Sequence, residues 1–177
     1  DQAGQKVLIF SEFADTARYL RKQLTEDGIE GVEAVDGGTP GNRGDIIKRF
    51  APYYNGTTSS ELSDSGKKEI RILISTDVLS EGLNLQDSTR MINYDIHWNP
   101  VRLMQRIGRV DRRMNPQTEE KMLAAHPKLD GQRGKISFWN FLPPEELNKL
   151  LSLYALVTKK TLIISKTLGI EGKKLLT

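Results

Sequence analysis

The sequence predicts an α/β fold built on a mostly parallel sheet flanked by helices. Short continuous apolar runs, such as Val7–Phe10, are typical of strands that are buried on both faces. These runs alternate with segments whose apolar residues recur at helical spacing, and this alternation is typical of parallel sheets covered by helices. In such folds, functional side chains gather at the carboxyl ends of the strands.

Five segments are predicted to be strands because they are rich in β-branched, aliphatic or aromatic residues. Turn-forming residues follow some of them, as Asp36, Gly37 and Gly38 follow the second. In chain order, the predicted strands are Val7–Phe10, Val32–Val35, 70–76, 90–95 and 135–141.

Helices are predicted between these strands from apolar spacing and capping residues. Ser11 is expected to cap the first helix and Gly28 to end it. Thr39 followed by Pro40 predicts the N-cap and first position of a helix that ends near Phe50. Further helices are predicted at 100–113 and 118–125, and a pair of helices in the leucine-rich tail beyond residue 144.

Residues 52–68 interrupt the alternation because they are polar and have no apolar periodicity. We interpret them as a polar surface loop, either a tolerated insertion or a loop that contacts a partner. The sequence therefore predicts one α/β domain over residues 1–143, with this insertion, followed by accessory helices over 144–177.

The composition excludes some classes of protein. The chain has no cysteine, which excludes disulfides and thiolate metal sites and fits an intracellular protein. No run approaches the roughly 20 apolar residues that span a bilayer, so we expect a cytoplasmic protein without a membrane partner. The net charge of +3 is compatible with a nucleic-acid partner but does not specify one.

The most informative stretch is QRIGRVDRR at residues 105–113, which places four arginines on a predicted helix. Arg109 and Arg112 are three positions apart and are expected to project from one helix face. A guanidinium suits an oligophosphate because it donates paired hydrogen bonds and keeps its charge. The stretch therefore indicates an oligophosphate site, and the alternative is a solvated basic helix face.

A second stretch, STDVLSEGLNLQ at residues 75–86, follows a predicted buried strand. Its hydroxyl groups and its glycine backbone can donate hydrogen bonds to phosphates from a strand's carboxyl end. The same residue types also form ordinary turns, so this stretch alone leaves both interpretations open.

In order and spacing, these stretches resemble the C-terminal helicase lobe of superfamily 2. KVLIFSEF at 6–13 is similar to that lobe's first strand motif, and 37–50 to its glycine-then-arginine segment. STDVLSEGLNLQ resembles motif V, and QRIGRVDRR matches the motif VI pattern Q-x-x-G-R-x-x-R. DIHWNP at 95–100 resembles the D-x-x-W-N-P segment of the Swi/Snf branch. Within that branch, SEGLNLQ and QRIGRVDR are most similar to the bacterial RNA-polymerase-recycling ATPases.

The resemblance implies a RecA-like three-layer lobe with a catalytic role for motif VI. Arg109 and Arg112 would reach the γ-phosphate of ATP, which is bound with Mg²⁺ mainly by another lobe. Gln105 would couple the nucleotide to motif V.

The resemblance also implies binding residues outside motif VI. Gly82 and Asn84 would face the nucleotide. Ser75 and Thr76 would lie against a nucleic-acid phosphate, and Arg43 is a candidate contact to a nucleic-acid strand. The Swi/Snf branch mostly translocates on double-stranded DNA, which is therefore the predicted track, with RNA as an alternative.

The chain lacks the parts that would make it a complete motor. No G-x-x-x-x-G-K-[ST] phosphate loop is present, since Lys67 and Lys135 have no hydroxyl residue after them. Asp95 follows an apolar strand, and we expect it to be structural or coupling rather than metal-binding. His97 and His126 have no metal-ligand spacing, so no metal site is predicted.

We therefore expect the fragment to be inactive alone and to work with an N-terminal lobe that precedes Asp1. RNA polymerase or another protein complex is a candidate partner. The alternative function is a non-catalytic module of the same fold that binds nucleic acid or protein.

Overall fold

The computed structural model describes residues 5–39, 41–77, 84–95, 100–141 and 171–175. Their core is a six-stranded sheet in the order β2-β3-β1-β4-β5-β6, in which every neighbouring pair is parallel. The strands are β1 (Val7–Phe10), β2 (Val32–Val35), β3 (Ile72–Ser75), β4 (Arg90–Asn93), β5 (Ser137–Phe141) and β6 (Glu171–Leu175). The predicted α/β fold with a parallel sheet is confirmed.

Different helices cover the two faces of the sheet, because successive strand residues point to opposite sides. On one face, Ile9 of β1 packs in a cluster with Ala17 of the first helix. On the other, Phe10 packs in a larger cluster with Phe50 and Ile107 from two later helices. The helices are α1 (Ala14–Glu26), α2 (Arg43–Phe50), α3 (Ser59–Asp64), α4 (Pro100–Ile107) and α5 (Pro116–Ala125).

The predicted starts of the first two helices are wrong. The Ser11 hydroxyl donates to Asp95 instead of capping α1, whose N-cap position is Phe13, without a side-chain hydrogen bond. The Thr39 hydroxyl accepts from the Asp36 amide at 2.7 Å, so it belongs to the turn after β2. Asn42 caps α2 by accepting from the Gly44 amide at 2.9 Å.

The predicted end of α1 is confirmed. Gly28 has a φ of 80°, in the left-handed region that favours glycine. The neighbouring Ile29 amide donates back to the Leu24 carbonyl at 3.0 Å, which closes the last turn.

Residues 52–68, predicted as a surface loop, contain two short helical elements that the sequence did not predict. A 3₁₀ turn covers Tyr53–Asn55, and α3 follows with a capping box between Thr58 and Glu61. The turn is fixed because the buried Asp87 carboxylate accepts from the amides of Tyr53 and Tyr54, both at 3.0 Å.

The C-terminal half differs from the prediction at two places. Helix α4 ends at Ile107 rather than near residue 113, so the arginine-rich stretch continues as a turn. Strand β6 lies within the predicted helical tail, where it pairs with β5 and forms one edge of the sheet. The rest of that tail, residues 144–170 and 176–177, lies outside the described residues. No helix among the described residues has both the length and the apolar character to cross a bilayer.

Candidate functional site

The carboxyl ends of β3, β1 and β4 are aligned and carry the predicted motif residues. Phe10 pairs in register with Ser75 on one side and with Asn93 on the other. The polar residues that follow these strands, Ser11, Asp77 and Asp95, are therefore neighbours at one edge of the sheet. Helix α4 delivers its arginines to the same edge.

Arg106 of α4 contacts the segments that follow these strands, and it is only 2% exposed. Its Nε and Nη2 atoms donate to the two carboxylate oxygens of Asp77 at 2.7 and 3.0 Å. Its Nη1 atom donates to the Asp95 carbonyl at 3.0 Å, and its guanidinium lies over the Phe10 ring. This paired geometry is the strongest form of an ion pair and ties α4 to the ends of β3 and β4.

No specific role for Arg106 or Asp77 is predicted from the sequence. A signal was present, because four clustered arginines require acidic partners and Asp77 directly follows a buried strand. Only the tertiary structure shows which arginine forms the ion pair with the Asp77 carboxylate.

The Asp95 carboxylate also has protein partners. It accepts from the Ser11 hydroxyl and, at 2.9 Å, from the Glu12 amide. These bonds join the segment after β1 to the end of β4, which agrees with the predicted structural role for Asp95.

The turn after α4 carries the two predicted finger arginines. The Arg109 amide donates to the Arg106 carbonyl at 3.1 Å, and the amide of the buried Val110 donates to the Ile107 carbonyl at 3.0 Å. Arg109 is half-buried, whereas Arg112 and Gln105 are exposed. The expectation that Arg109 and Arg112 project from a helix is wrong, because α4 ends at Ile107 and both arginines lie beyond it.

The end of motif V holds this turn directly. The buried Gln86 side chain donates through Nε2 to the Arg112 carbonyl at 2.9 Å. The Arg112 Nε atom donates to the Gly108 carbonyl at 3.3 Å. The two motifs are therefore joined twice, by Gln86 with Arg112 and by Asp77 with Arg106.

The remaining predicted site residues lie in different environments. Asn84 is half-buried, and its carbonyl accepts from Asn55 at 2.8 Å. Gly82 lies outside the described residues. Arg43 opens α2 near the carboxyl end of β2 and donates to the Gly37 carbonyl at 2.7 Å.

Ser75 and Thr76 are both buried at the end of β3. The Ser75 hydroxyl donates to the Thr76 carbonyl at 2.7 Å, so it faces the interior rather than a ligand surface. Within the part of the chain that the structure describes, the Thr76 hydroxyl has no hydrogen-bond partner. The predicted contact of these two residues with a nucleic-acid phosphate stays a prediction.

A buried polar cluster adjoins the turn on the side of α5. Arg133 donates to both carboxylate oxygens of Glu119 at 2.6 and 2.8 Å, and the Tyr54 hydroxyl donates to the same carboxylate at 2.6 Å. Burial raises the pKa of Glu119, but the hydrogen bonds from Arg133 and Tyr54 outweigh it and hold that pKa below its usual value. Burial and the bond to Glu119 raise the pKa of Tyr54 to about 12.

Asp87 lies deeper in the same region and has the opposite shift. Burial raises the pKa of its carboxyl, although Lys6 and the amides of Tyr54 and Tyr53 act to lower it. Its oxygens are taken up by those amides, which fits a structural group. Among the residues that the structure describes, no three His, Asp or Glu side chains are placed to hold a metal ion.

Residues 1–114 match the family described as Helicase conserved C-terminal domain. The chain belongs to this family, and the predicted resemblance to a C-terminal helicase lobe is confirmed. The match covers the strands β1 to β4, helix α4 and the arginine-bearing turn.

Similar sequences occur in bacterial proteins much longer than this chain. It is 39% identical over 107 residues to the uncharacterized ATP-dependent helicase YqhH of Bacillus subtilis strain 168, covering 60% of this chain and 16% of that protein. It is 30% identical over 113 residues to the RNA polymerase-associated protein RapA of Vibrio parahaemolyticus, covering 63% and 10%. The chain thus spans less than a fifth of each relative.

Two solved structures share the fold. The C-terminal part of the Fun30 ATPase domain has a TM-score of 0.53 at 20% identity, covering 92% of this chain and 48% of that one. A DEAD box protein from the hyperthermophile Methanococcus jannaschii has a TM-score of 0.51 at 25% identity, covering 99% and 36%. Both agree with the predicted RecA-like lobe.

Proposed function

We propose that this chain is the second motor lobe of a nucleic-acid-dependent ATPase and that Arg109 and Arg112 act on ATP bound to a first lobe. The observation that carries the proposal is the construction of the arginine-bearing turn. Its backbone is fixed by the buried Gln86 and Arg106, while the Arg112 side chain is exposed.

This construction suits an arginine finger. A finger must present its guanidinium at a fixed distance from the phosphoryl group, where it stabilises the charge of the transition state. Such an arginine contributes about 10³–10⁵ in rate. A lobe that carries only the fingers must receive its nucleotide from elsewhere, which agrees with the absence of a phosphate loop from this sequence.

The double connection between the motifs supports a coupling role. Asp77 and Gln86 both belong to motif V and hold Arg106 and Arg112 of motif VI. We propose that Gly82 and Asn84 face the nucleotide and that Gln105 couples the nucleotide to motif V. ATP would favour closure of the two lobes by adding arginine contacts, and its hydrolysis would remove them.

The track and the protein partner are further parts of the proposal. We propose double-stranded DNA as the track, with Ser75, Thr76 and Arg43 on the nucleic-acid side. Mg²⁺ would be held with ATP by the first lobe. The similarity to a protein whose name records association with RNA polymerase makes that enzyme a candidate partner.

The test is ATP hydrolysis by the longer parent protein with duplex DNA, single-stranded DNA or RNA. Arg109→Ala and Arg112→Ala should each lower the stimulated rate by about 10³-fold or more. Arg113→Ala is the matched control, because Arg113 is the exposed neighbour with no assigned role.

Each outcome identifies a different error. An Arg112→Ala protein with full activity would refute the finger assignment. Stronger stimulation of ATP hydrolysis by RNA than by duplex DNA would mean that RNA is the track, and the proposed motor function would stand. No hydrolysis with any polymer would favour the non-catalytic binding module.

A further inference from the structure

We infer that Tyr54, Glu119 and Arg133 form a brace that positions Arg112 for catalysis. All three lie outside the motifs of the helicase lobe, and the inference rests on the proposed function of Arg112. It gives a role to the 52–68 segment, for which the sequence predicts either a tolerated insertion or a loop that contacts a partner.

The backbone from residue 112 to residue 115 is held at both ends. At one end, the Arg112 carbonyl accepts from the Gln86 side chain at 2.9 Å. At the other, the Asn115 amide donates to the Tyr54 hydroxyl at 3.1 Å. Two fixed points so close together leave this exposed stretch little freedom to shift.

The two residues that hold this stretch, Gln86 and Tyr54, both hydrogen-bond to the Arg133–Glu119 ion pair. Arg133 donates through Nη2 to the Gln86 carbonyl at 2.7 Å, and the Tyr54 hydroxyl donates to Glu119 at 2.6 Å. The Arg133 and Glu119 side chains are only 7% and 13% exposed, so their two-bond pairing is protected from water. A change at this pair would therefore reach both ends of the held stretch.

Tyr54 is itself fixed by the interior of the domain. Its amide donates to the buried Asp87 carboxylate at 3.0 Å, and Arg133 donates to the Asp87 carbonyl at 3.0 Å. The tyrosine therefore has a fixed backbone and a hydroxyl that both accepts from Asn115 and donates to Glu119. That combination fits a positioning residue for the turn more closely than a loop exposed for a partner.

The expected consequence concerns the chemical step rather than binding. A displacement of about 1 Å in a catalytic group can cost about 100-fold in rate. In the parent protein, Tyr54→Phe should lower kcat about tenfold or more and leave KM for ATP within about twofold. Tyr53→Phe is the matched control, because its hydroxyl contacts His126 at 3.3 Å and holds no part of residues 112–115.

A double variant separates positioning from a general loss of structure. If Tyr54 acts through Arg112, then Tyr54→Phe combined with Arg112→Ala should be no slower than Arg112→Ala alone. Amide hydrogen exchange at Asn115 should be faster in Tyr54→Phe and unchanged in Tyr53→Phe.

The outcomes distinguish this inference from the proposed function. If Arg112→Ala abolishes hydrolysis while Tyr54→Phe stays within about twofold of wild type, the brace is refuted and the motor stands. A further loss of rate in the double variant also refutes it, since Tyr54 then acts independently of Arg112. If wild type is inactive, or Arg112→Ala is fully active, the proposed function fails and the inference fails with it.

Discussion

Replacing Arg106 tests whether the buried ion pair at the sheet edge stabilises the lobe. Arg106→Ala removes two hydrogen bonds to Asp77, one to the Asp95 carbonyl and the packing over Phe10. It also leaves the Asp77 carboxylate, 19% exposed, without its main partner. Arg102 lies 3.7 Å from that carboxylate and can compensate only in part.

The size of the effect follows from this geometry. Removing one partner of a buried pair costs about 3–5 kcal/mol, mainly because the remaining charge stays buried. Asp77 keeps some access to water, so we expect the lower end, about 3 kcal/mol. Arg106→Lys keeps the charge but loses the paired geometry, and we expect a loss of roughly 1–2 kcal/mol.

Urea unfolding of the 177-residue chain measures these losses. With a urea dependence of about 2 kcal/mol per molar, Arg106→Ala should lower the midpoint by about 1.5 M. Arg102→Ala is the control, since its side chain is half exposed and should change stability by less than about 0.5 kcal/mol. Equal midpoints for Arg106→Ala and Arg102→Ala would refute the reasoning.

Two further variants probe the core and the polar cluster. Phe50→Ala should lower the free energy of unfolding, measured in urea, by about 3–5 kcal/mol, because Phe50 is fully buried between α2 and the sheet. Phe13→Ala is the control, because that side chain is exposed and its loss should cost less than about 0.5 kcal/mol. Similar losses in the two variants would contradict the core assignment. Tyr54 has a pKa near 12 when folded and 10 when unfolded, so the unfolded chain loses this proton first and stability should fall between about pH 10 and about pH 12. Urea midpoints across this range should show a smaller fall in Tyr54→Phe, while Tyr53→Phe keeps it; an unchanged fall in Tyr54→Phe would contradict the assignment.

The strands were predictable because the information that defines them is local. A continuous apolar run such as Val7–Phe10 or Val32–Val35 is buried on both faces wherever the sheet forms, so its bounds follow from the side chains alone. Asn115 and Pro116 likewise mark the start of α5 by local chemistry, two positions before the predicted one.

The helix boundaries were less predictable because capping residues have competing partners. Ser11 and Thr39 are both residue types that commonly cap helices. The Ser11 hydroxyl instead donates to Asp95, which is distant in sequence, and the Thr39 hydroxyl accepts from the Asp36 amide in the turn after β2. Helix α4 stops at Ile107, and the chain continues as a turn in which Val110 is buried in the core, a packing that no local pattern in the sequence predicts.

By itself, the sequence determined the α/β fold, the first five strands along the chain and the membership of the helicase C-terminal family, since motif spacing is a property of the chain. Only the tertiary structure decided that Asp77 takes Arg106, that Gln86 holds Arg112 and that the polar 52–68 segment packs against α5. The physical reason is distance along the chain. Each of these contacts joins residues far apart in sequence, and its energy exists only once the parallel sheet has brought the strand ends together.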